Sequence, residues 1–239
     1  MRMKGLPLIL ALLGTLGLVG CGQVAIFHGT TVIGNGWVIV NSASDSGSIT
    51  NLTIPPTGRG NLIAVALMFN GATSVTSVSD DAGNSYVSAG ARSVSGSAST
   101  EIWYAANSNS GATLITPTFA DATTHVEITS WEVNGISTSP LDVANTSTGT
   151  MTSDNVPGPA VTTTHSGDFV VSIMFAIDTG LKGISSGNEF TDDFTTDGNG
   201  WAHITSDKAP AGSHQASWYT ATPQGPYCAS TAAFLAATH

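Results

Sequence analysis

The chain has 239 residues, of which 41% are apolar, and this is enough to bury a sizeable core and excludes a disordered chain. Its formal net charge of −10 disfavours nucleic acid as a partner and permits the binding of cations such as Ca²⁺. Only 9% of the residues are charged, so Ser, Thr, Asn and Gly provide most of the polar surface, as in many secreted all-β proteins.

The amino terminus combines a basic start with a short apolar run. Arg2 and Lys4 precede an apolar stretch over residues 6–19. That stretch is shorter than the ~20 apolar residues that span a bilayer core. It is typical of a cleaved secretory signal, which we predict over residues 1–20.

The residues around the end of this signal, Leu18-Val19-Gly20-Cys21, resemble the lipobox of bacterial lipoproteins. The resemblance implies that Cys21 is acylated, by palmitate or a similar chain, and becomes the first residue of an exported protein anchored in a membrane. Two or more acyl chains would make that anchor stable. Gly22 stands where the family's inner-membrane retention signal is Asp, which favours the outer membrane or the cell surface.

After residue 21, short runs rich in β-branched and aromatic residues alternate with clusters of Gly, Asn, Asp and Ser, without helical periodicity. This pattern predicts an all-β fold, an antiparallel two-sheet sandwich. The candidate strands are 37–42, 48–54, 61–69, 74–79, 85–89, 100–106, 112–119, 124–134, 159–164, 168–177, 201–206, 214–221 and 229–237.

Three segments have no polar alternation: 62–69, 169–175 and 232–237. Strands that are apolar on both faces need cover on both faces, so we expect them at the centre of their sheets. The segment 126–133 alternates, but its phase slips near Ser130, which predicts a β-bulge there.

Domain boundaries are weakly marked. Residues 21–36 contain the lipidated cysteine and a tether or edge strand, and residues 37–239 are expected to form a single β-sandwich domain. The segment 135–160 is rich in Ser, Thr, Gly and Pro. We interpret it as a long connection between two halves of one sandwich, and the alternative is a linker between two domains.

Several short motifs occur in succession between residues 61 and 234. They are Asn61-Leu62-Ile63-Ala64-Val65, Ser79-Asp80-Asp81-Ala82-Gly83-Asn84-Ser85-Tyr86, Glu101-Ile102-Trp103-Tyr104-Ala105-Ala106-Asn107, Ser139-Pro140-Leu141-Asp142 and Thr231-Ala232-Ala233-Phe234. Their order and spacing are similar to those of a widespread, largely uncharacterised group of bacterial secreted β-sandwich domains. The resemblance implies a jelly-roll-like sandwich and brings no catalytic residues with it.

Aromatic residues are the first candidates for ligand binding, because sugars stack their C–H faces on aromatic rings. Neighbours on a strand point to opposite faces, so one residue of Trp218-Tyr219 should face outward. We expect Trp201, beside an acidic loop, to be the exposed platform. Trp103 and Trp131 are expected in the core. The candidate ligand-binding residues are Trp201, Trp218, Tyr219 and Tyr104.

Acidic residues between 191 and 200 form the densest cluster of oxygen ligands. Asp192, Asp193, Asp197 and Asn199 are candidates for a Ca²⁺ site, although the glutamate that closes an EF-hand loop is missing. A solvated acidic turn is the favoured alternative. No other cofactor is indicated, and no two histidines have a zinc-ligand spacing.

Two further features indicate structure rather than chemistry. Gly183-Ile184-Ser185-Ser186-Gly187 matches the nucleophile-elbow pattern, but no helical segment follows it, so we interpret it as a chance match in a loop. With Cys21 lipidated, Cys228 has no partner for a disulfide and is expected to be a buried core residue.

These features together predict a non-enzymatic, lipid-anchored surface module that binds a glycan or similar extracellular polymer. One alternative is a structural or adhesive envelope protein that acts through protein contacts. A second alternative is a β-sandwich hydrolase or lyase, which would need two close carboxylates with displaced pKa values in a cleft.

Overall fold

The computed structural model describes residues 36–177, 180–194 and 198–237, with the side chain of Phe194 excepted. The signal peptide, Cys21 and most of the tether therefore lie outside the described residues. The fold is all-β and its strand pairs are antiparallel, which confirms the predicted class.

The strands before residue 135 form the first half of the fold. They are β1 (Val38–Gly47), β2 (Leu52–Thr53), β3 (Leu62–Asn70), β4 (Val75–Asp80), β5 (Tyr86–Ser88), β6 (Ser93–Ser95), β7 (Ala98–Ala105), β8 (Leu114–Phe119) and β9 (His125–Asn134). The second half consists of β10 (Ile136–Thr150), β11 (Asn155–Pro157), β12 (Val161–Thr162), β13 (Phe169–Ala176), β14 (Leu181–Ile184), β15 (Phe190–Phe194), β16 (Gly200–Ile204), β17 (Ser213–His214), β18 (Ser217–Thr220) and β19 (Pro226–Ala236).

The large sheet and the small sheet have the same strand order in both halves. The large sheet has the order β1-β9-β3-β7-β5 in the first half and β10-β19-β13-β16-β15 in the second. The small sheets, β2-β8-β4 and β11-β18-β14, correspond in the same way. The central strands begin alike, because Gly60 and Gly167 both have φ +81° and precede Asn61 and Asp168. The chain is thus an internal repeat at the level of structure.

The two large sheets pack face to face around a shared core that includes Leu62, Trp131, Phe169 and Phe234. Each large sheet also buries its outer face against the small sheet of its own half. This layering explains why the three apolar segments have no polar alternation. The prediction that 62–69 and 169–175 lie centrally is confirmed, since β3 and β13 are the middle strands of their sheets.

Two local predictions are wrong. The strand β9 pairs with β3 in an unbroken register through Ser130, so no bulge occurs there. Its alternation slips because both of its faces are buried, and the buried side chains of Glu127, Thr129 and Glu132 each make a hydrogen bond. The register shift lies instead in β1, at Val40. The segment 135–160 was expected to be a connection, but it contains the 15-residue edge strand β10, whose small polar residues are only partly buried.

Candidate functional site

A groove of ≈ 500 Å³ lies on the small sheet of the second half. Its volume is within the range of pockets that hold small ligands, about 300–1,000 Å³. The groove is lined by residues from β14, β18 and the start of β11. They are Asp154, Asn155, Lys182, Ile184, Ser185, Ser186 and Tyr219.

Tyr219 is the aromatic residue of this groove. It follows Trp218 on β18, and because successive side chains alternate, Trp218 is buried and Tyr219 is 44% exposed. The sequence prediction that one residue of this pair faces outward is confirmed. Val87, Val94 and Tyr219 are the exposed large hydrophobic residues of the described chain, and of these Tyr219 lines the groove.

A β-bulge brings Lys182 to the same surface. The register of β14 against β18 shifts between Leu181 and Ile184, where Gly183 has φ +118°. Bulges bend a strand and re-aim its side chains. Lys182 is exposed on the groove, which it lines together with Tyr219 and the carboxylate of Asp154.

Asn155 is fixed on the opposite side of Tyr219. The two residues pair across β11 and β18. The side-chain oxygen of Asn155 accepts hydrogen bonds from the hydroxyls of Ser185 and Ser217. These bonds orient the side-chain amide, which can donate to a ligand. The groove therefore combines an apolar ring face with a fixed amide, hydroxyls and one charge of each sign.

The structure buries two of the four aromatic residues proposed from the sequence. Trp201 has 0% exposure and lies in the core between the large sheets, so the expectation that it is an exposed platform is wrong. It is buried because β16 lies within a sheet covered on both faces. Trp218 also has 0% exposure. Tyr104 is partly buried, with its ring centroid 5.3 Å from that of Phe234.

The proposed calcium ligands do not converge. Asp193 accepts a hydrogen bond from Trp131, whereas Asn199 donates to Glu127. Trp131 and Glu127 are four residues apart on β9, a separation of about 13 Å. Asp192 is exposed, whereas the neighbouring Asp193 is partly buried, and Asp197 lies outside the described residues. Among the described residues, no group of three or more acidic, His or Cys side chains could hold a metal.

Asp193 instead belongs to a buried contact between the large sheets. The register of β15 shifts at this residue, and its carboxylate lies 2.7 Å from Nδ1 of His203. The indole N–H of Trp131, from the other large sheet, donates to the same carboxylate at 3.1 Å. Burial raises the pKa of Asp193, and the hydrogen bonds from His203 and Trp131 act against that rise.

The nucleophile-elbow match at residues 183–187 does not form an elbow. Ser185 follows β14, but a turn and then β15 come after it, and no helix does. Its hydroxyl donates to Asn155. The interpretation of a chance match is confirmed, although Ser185 and Ser186 turn out to line the groove.

Sequence reasoning found Tyr219 but not its neighbours Asp154, Lys182 and Ser186. A signal for this region was present in the chain. Residues 82–84 read Ala-Gly-Asn and residues 186–188 read Ser-Gly-Asn, and in the structure these are equivalent turns before β5 and β15. An alignment of these two turns would have predicted that β14, which lines the groove, is equivalent to β4 of the first half.

Comparison with protein-family models, curated proteins and solved structures finds no match to this chain. Across the residues that the structure describes, no helical segment is long and apolar enough to cross a bilayer.

Proposed function

We propose that this protein is a non-enzymatic surface module, anchored by a lipid on Cys21, that binds a glycan or similar extracellular polymer in the Tyr219 groove. The observation that carries the proposal is the exposed Tyr219 ring in a groove that polar side chains also line. A sugar ring offers an apolar face for stacking and hydroxyls for hydrogen bonding. Ligand sites of this kind combine apolar surface with a few placed polar groups.

The second half of the repeat supplies this groove, and the first half offers a matched comparison. Ile115 of β8 pairs with Leu52 and Asp80, as Trp218 of β18 pairs with Val156 and Ile184. Thr116 therefore occupies the position of Tyr219. Thr116 has no ring for a sugar to stack on, so the proposal assigns binding to the second half alone.

Binding is tested by a glycan array followed by isothermal titration with the best oligosaccharide. We expect Tyr219→Ala to weaken binding about tenfold, which corresponds to about 1.4 kcal/mol. The control Thr116→Ala should bind as the wild type does. An array without a ligand, or equal affinities for both variants, would contradict the proposal. Self-association without any effect of sugar would favour an adhesive role instead.

The anchor is tested separately from the groove. Mass spectrometry of the membrane fraction should find a chain that begins at Cys21 and carries acyl groups. Cys21→Ser should move the protein out of that fraction and leave sugar binding unchanged. An uncleaved, unmodified amino terminus would rule out the anchor without bearing on the groove.

A further inference from the structure

A pair of carboxylates, Asp142 and Asp168, lies at one end of the second half, away from the groove. Asp142 occupies the register shift of β10, between Leu141 and Val143, and Asp168 immediately precedes β13. Leu141 and Phe169 both pair with Phe234 of β19, so the adjacent Asp142 and Asp168 flank the same position of that strand, and their side chains are within hydrogen-bonding reach of each other. Asp168 is 2% exposed, and no donor in the described part of the chain makes a well-formed hydrogen bond to either of its oxygens.

The same position in the first half is uncharged. Asn61 corresponds to Asp168, since each follows a glycine with φ +81° and precedes the central strand. The side-chain amide of Asn61 donates to the buried Glu132, which also accepts from the side-chain amide of Asn41. The first half thus surrounds a buried carboxylate with donors. The second half places two carboxylates together.

We infer that Asp142 and Asp168 share one proton in the folded protein and form a pH-sensitive latch between β10 and β13. Two carboxylates in contact cannot both be ionised without a large repulsion, and burial removes the water that would screen it. The proton sits on Asp168 and is donated to Asp142. The latch releases when that proton is lost.

Neighbouring groups decide which carboxylate keeps the proton. Asp142 accepts the backbone N–H of Thr164 at 2.7 Å and its hydroxyl at 2.6 Å. Burial works to raise the pKa of Asp142, but these hydrogen bonds hold it below its usual value. Burial and the adjacent Asp142 raise the pKa of Asp168 to about 6, and His165 acts against that rise.

Other charged groups near the pair face elsewhere. Asp207 lies in the loop that contacts Gly167, but its carboxylate is directed at Gly36. The β19 strand approaches Asp168 through the backbone N–H of Ala236. Within the described residues, Asp142 and His165 are therefore the titratable groups that act on Asp168.

The stability that this pair contributes decreases as the pH rises, because the pKa of Asp168 is raised in the folded protein. The folded state holds the proton more tightly than the unfolded chain, so the latch stabilises the fold fully below about pH 4. That contribution is lost as the pH rises through about 6. Asp168→Asn replaces the shared proton by an amide donor, as in the first half, and makes the contact independent of pH.

The test compares the melting temperatures of the full chain and of Asp168→Asn between pH 3.5 and 7.5. The difference isolates the pair, because the other acidic groups are present in both. We expect the variant to gain several degrees over the wild type as the pH rises from about 4 to 6. Asp121→Asn, which removes an exposed carboxylate, is the control. Its melting temperature should fall between pH 4 and 6 as that of the wild type does.

A second measurement serves if Asp168→Asn fails to fold. In ¹³C NMR of aspartate-labelled wild type, one carboxyl resonance should titrate near pH 6, and Asp142→Asn should shift that midpoint. A constant difference in melting temperature across the pH range, or no carboxyl titrating near 6, would overturn the inference. If Ca²⁺ restored the stability that the wild type loses by pH 7.5, the inference would also be overturned, because the pair would then be a cation site.

Discussion

Trp131 on β9 donates its indole N–H to Asp193 on β15, and this hydrogen bond crosses between the two large sheets. The same carboxylate holds Nδ1 of His203. The equivalent positions in the other half are apolar or neutral, since Ala232 corresponds to Trp131 and Tyr104 corresponds to His203 in the paired registers. The two halves are therefore not equivalent here: the polar contact of Trp131, Asp193 and His203 has no counterpart at the corresponding positions.

Removal of the Asp193 carboxylate should destabilise the fold. In Asp193→Ala the N–H of the buried Trp131 loses its acceptor, and an orphaned buried donor costs about 1–3 kcal/mol. The partly buried His203 loses its partner as well. Urea unfolding followed by tryptophan fluorescence measures the loss. Asp192→Ala, at the exposed neighbouring position, should cause a smaller loss, and equal losses would contradict the assigned role of Asp193.

Gly200 should be intolerant of a side chain. A Cβ at this position would lie 2.2 Å from Nε1 of Trp218, whose ring is fully buried. Overpacking of this kind costs about 1–3 kcal/mol, so we expect Gly200→Ala to unfold at lower urea. Gly180→Ala is the control, because a Cβ there meets only ordinary contacts. Equal stability of the two variants would show that Trp218 can shift.

The thiol of Cys228 should be inert in the folded protein. It has 0% exposure, and burial raises its pKa to about 12. Because the thiolate is the reactive species, iodoacetamide should not label the native Cys21→Ser variant at mildly alkaline pH. Full labelling is expected in concentrated urea, with the alkylated residue identified by peptide mass spectrometry. Native labelling at the rate of a free thiol would mean that this strand opens readily.

The sequence predicted much of the fold because most strands carry a clear pattern. The apolar runs of β3 and β13 identified the central strands, and the alternation along Trp218-Tyr219 predicted that one of these two rings faces outward. The edge strand β10 was missed because its Ser and Thr residues resemble those of a connection. The prediction that Trp201 is exposed was wrong because the burial of this residue depends on the other large sheet, which no local sequence pattern reveals.

The candidate site was predicted only in part for the same reason. The groove joins Asp154, Lys182 and Tyr219 from three strands, and their proximity follows from a register shift in β14. The carboxylate pair of Asp142 and Asp168 likewise meets through a register shift, in β10. Sequence periodicity predicts on which face of a sheet a side chain lies, but it does not predict where the pairing of two strands becomes irregular.

The core shared by the large sheets makes neither half self-sufficient. A chain divided between Asn134 and Ile136 would leave Trp131 on one fragment and Phe234 on the other without the surface that covers them. Each fragment would keep its own small sheet and yet present a wide water-exposed apolar plane, the kind of surface that promotes aggregation. The two halves are therefore expected to fold and unfold as one cooperative unit, and an isolated half would survive only by pairing with another copy.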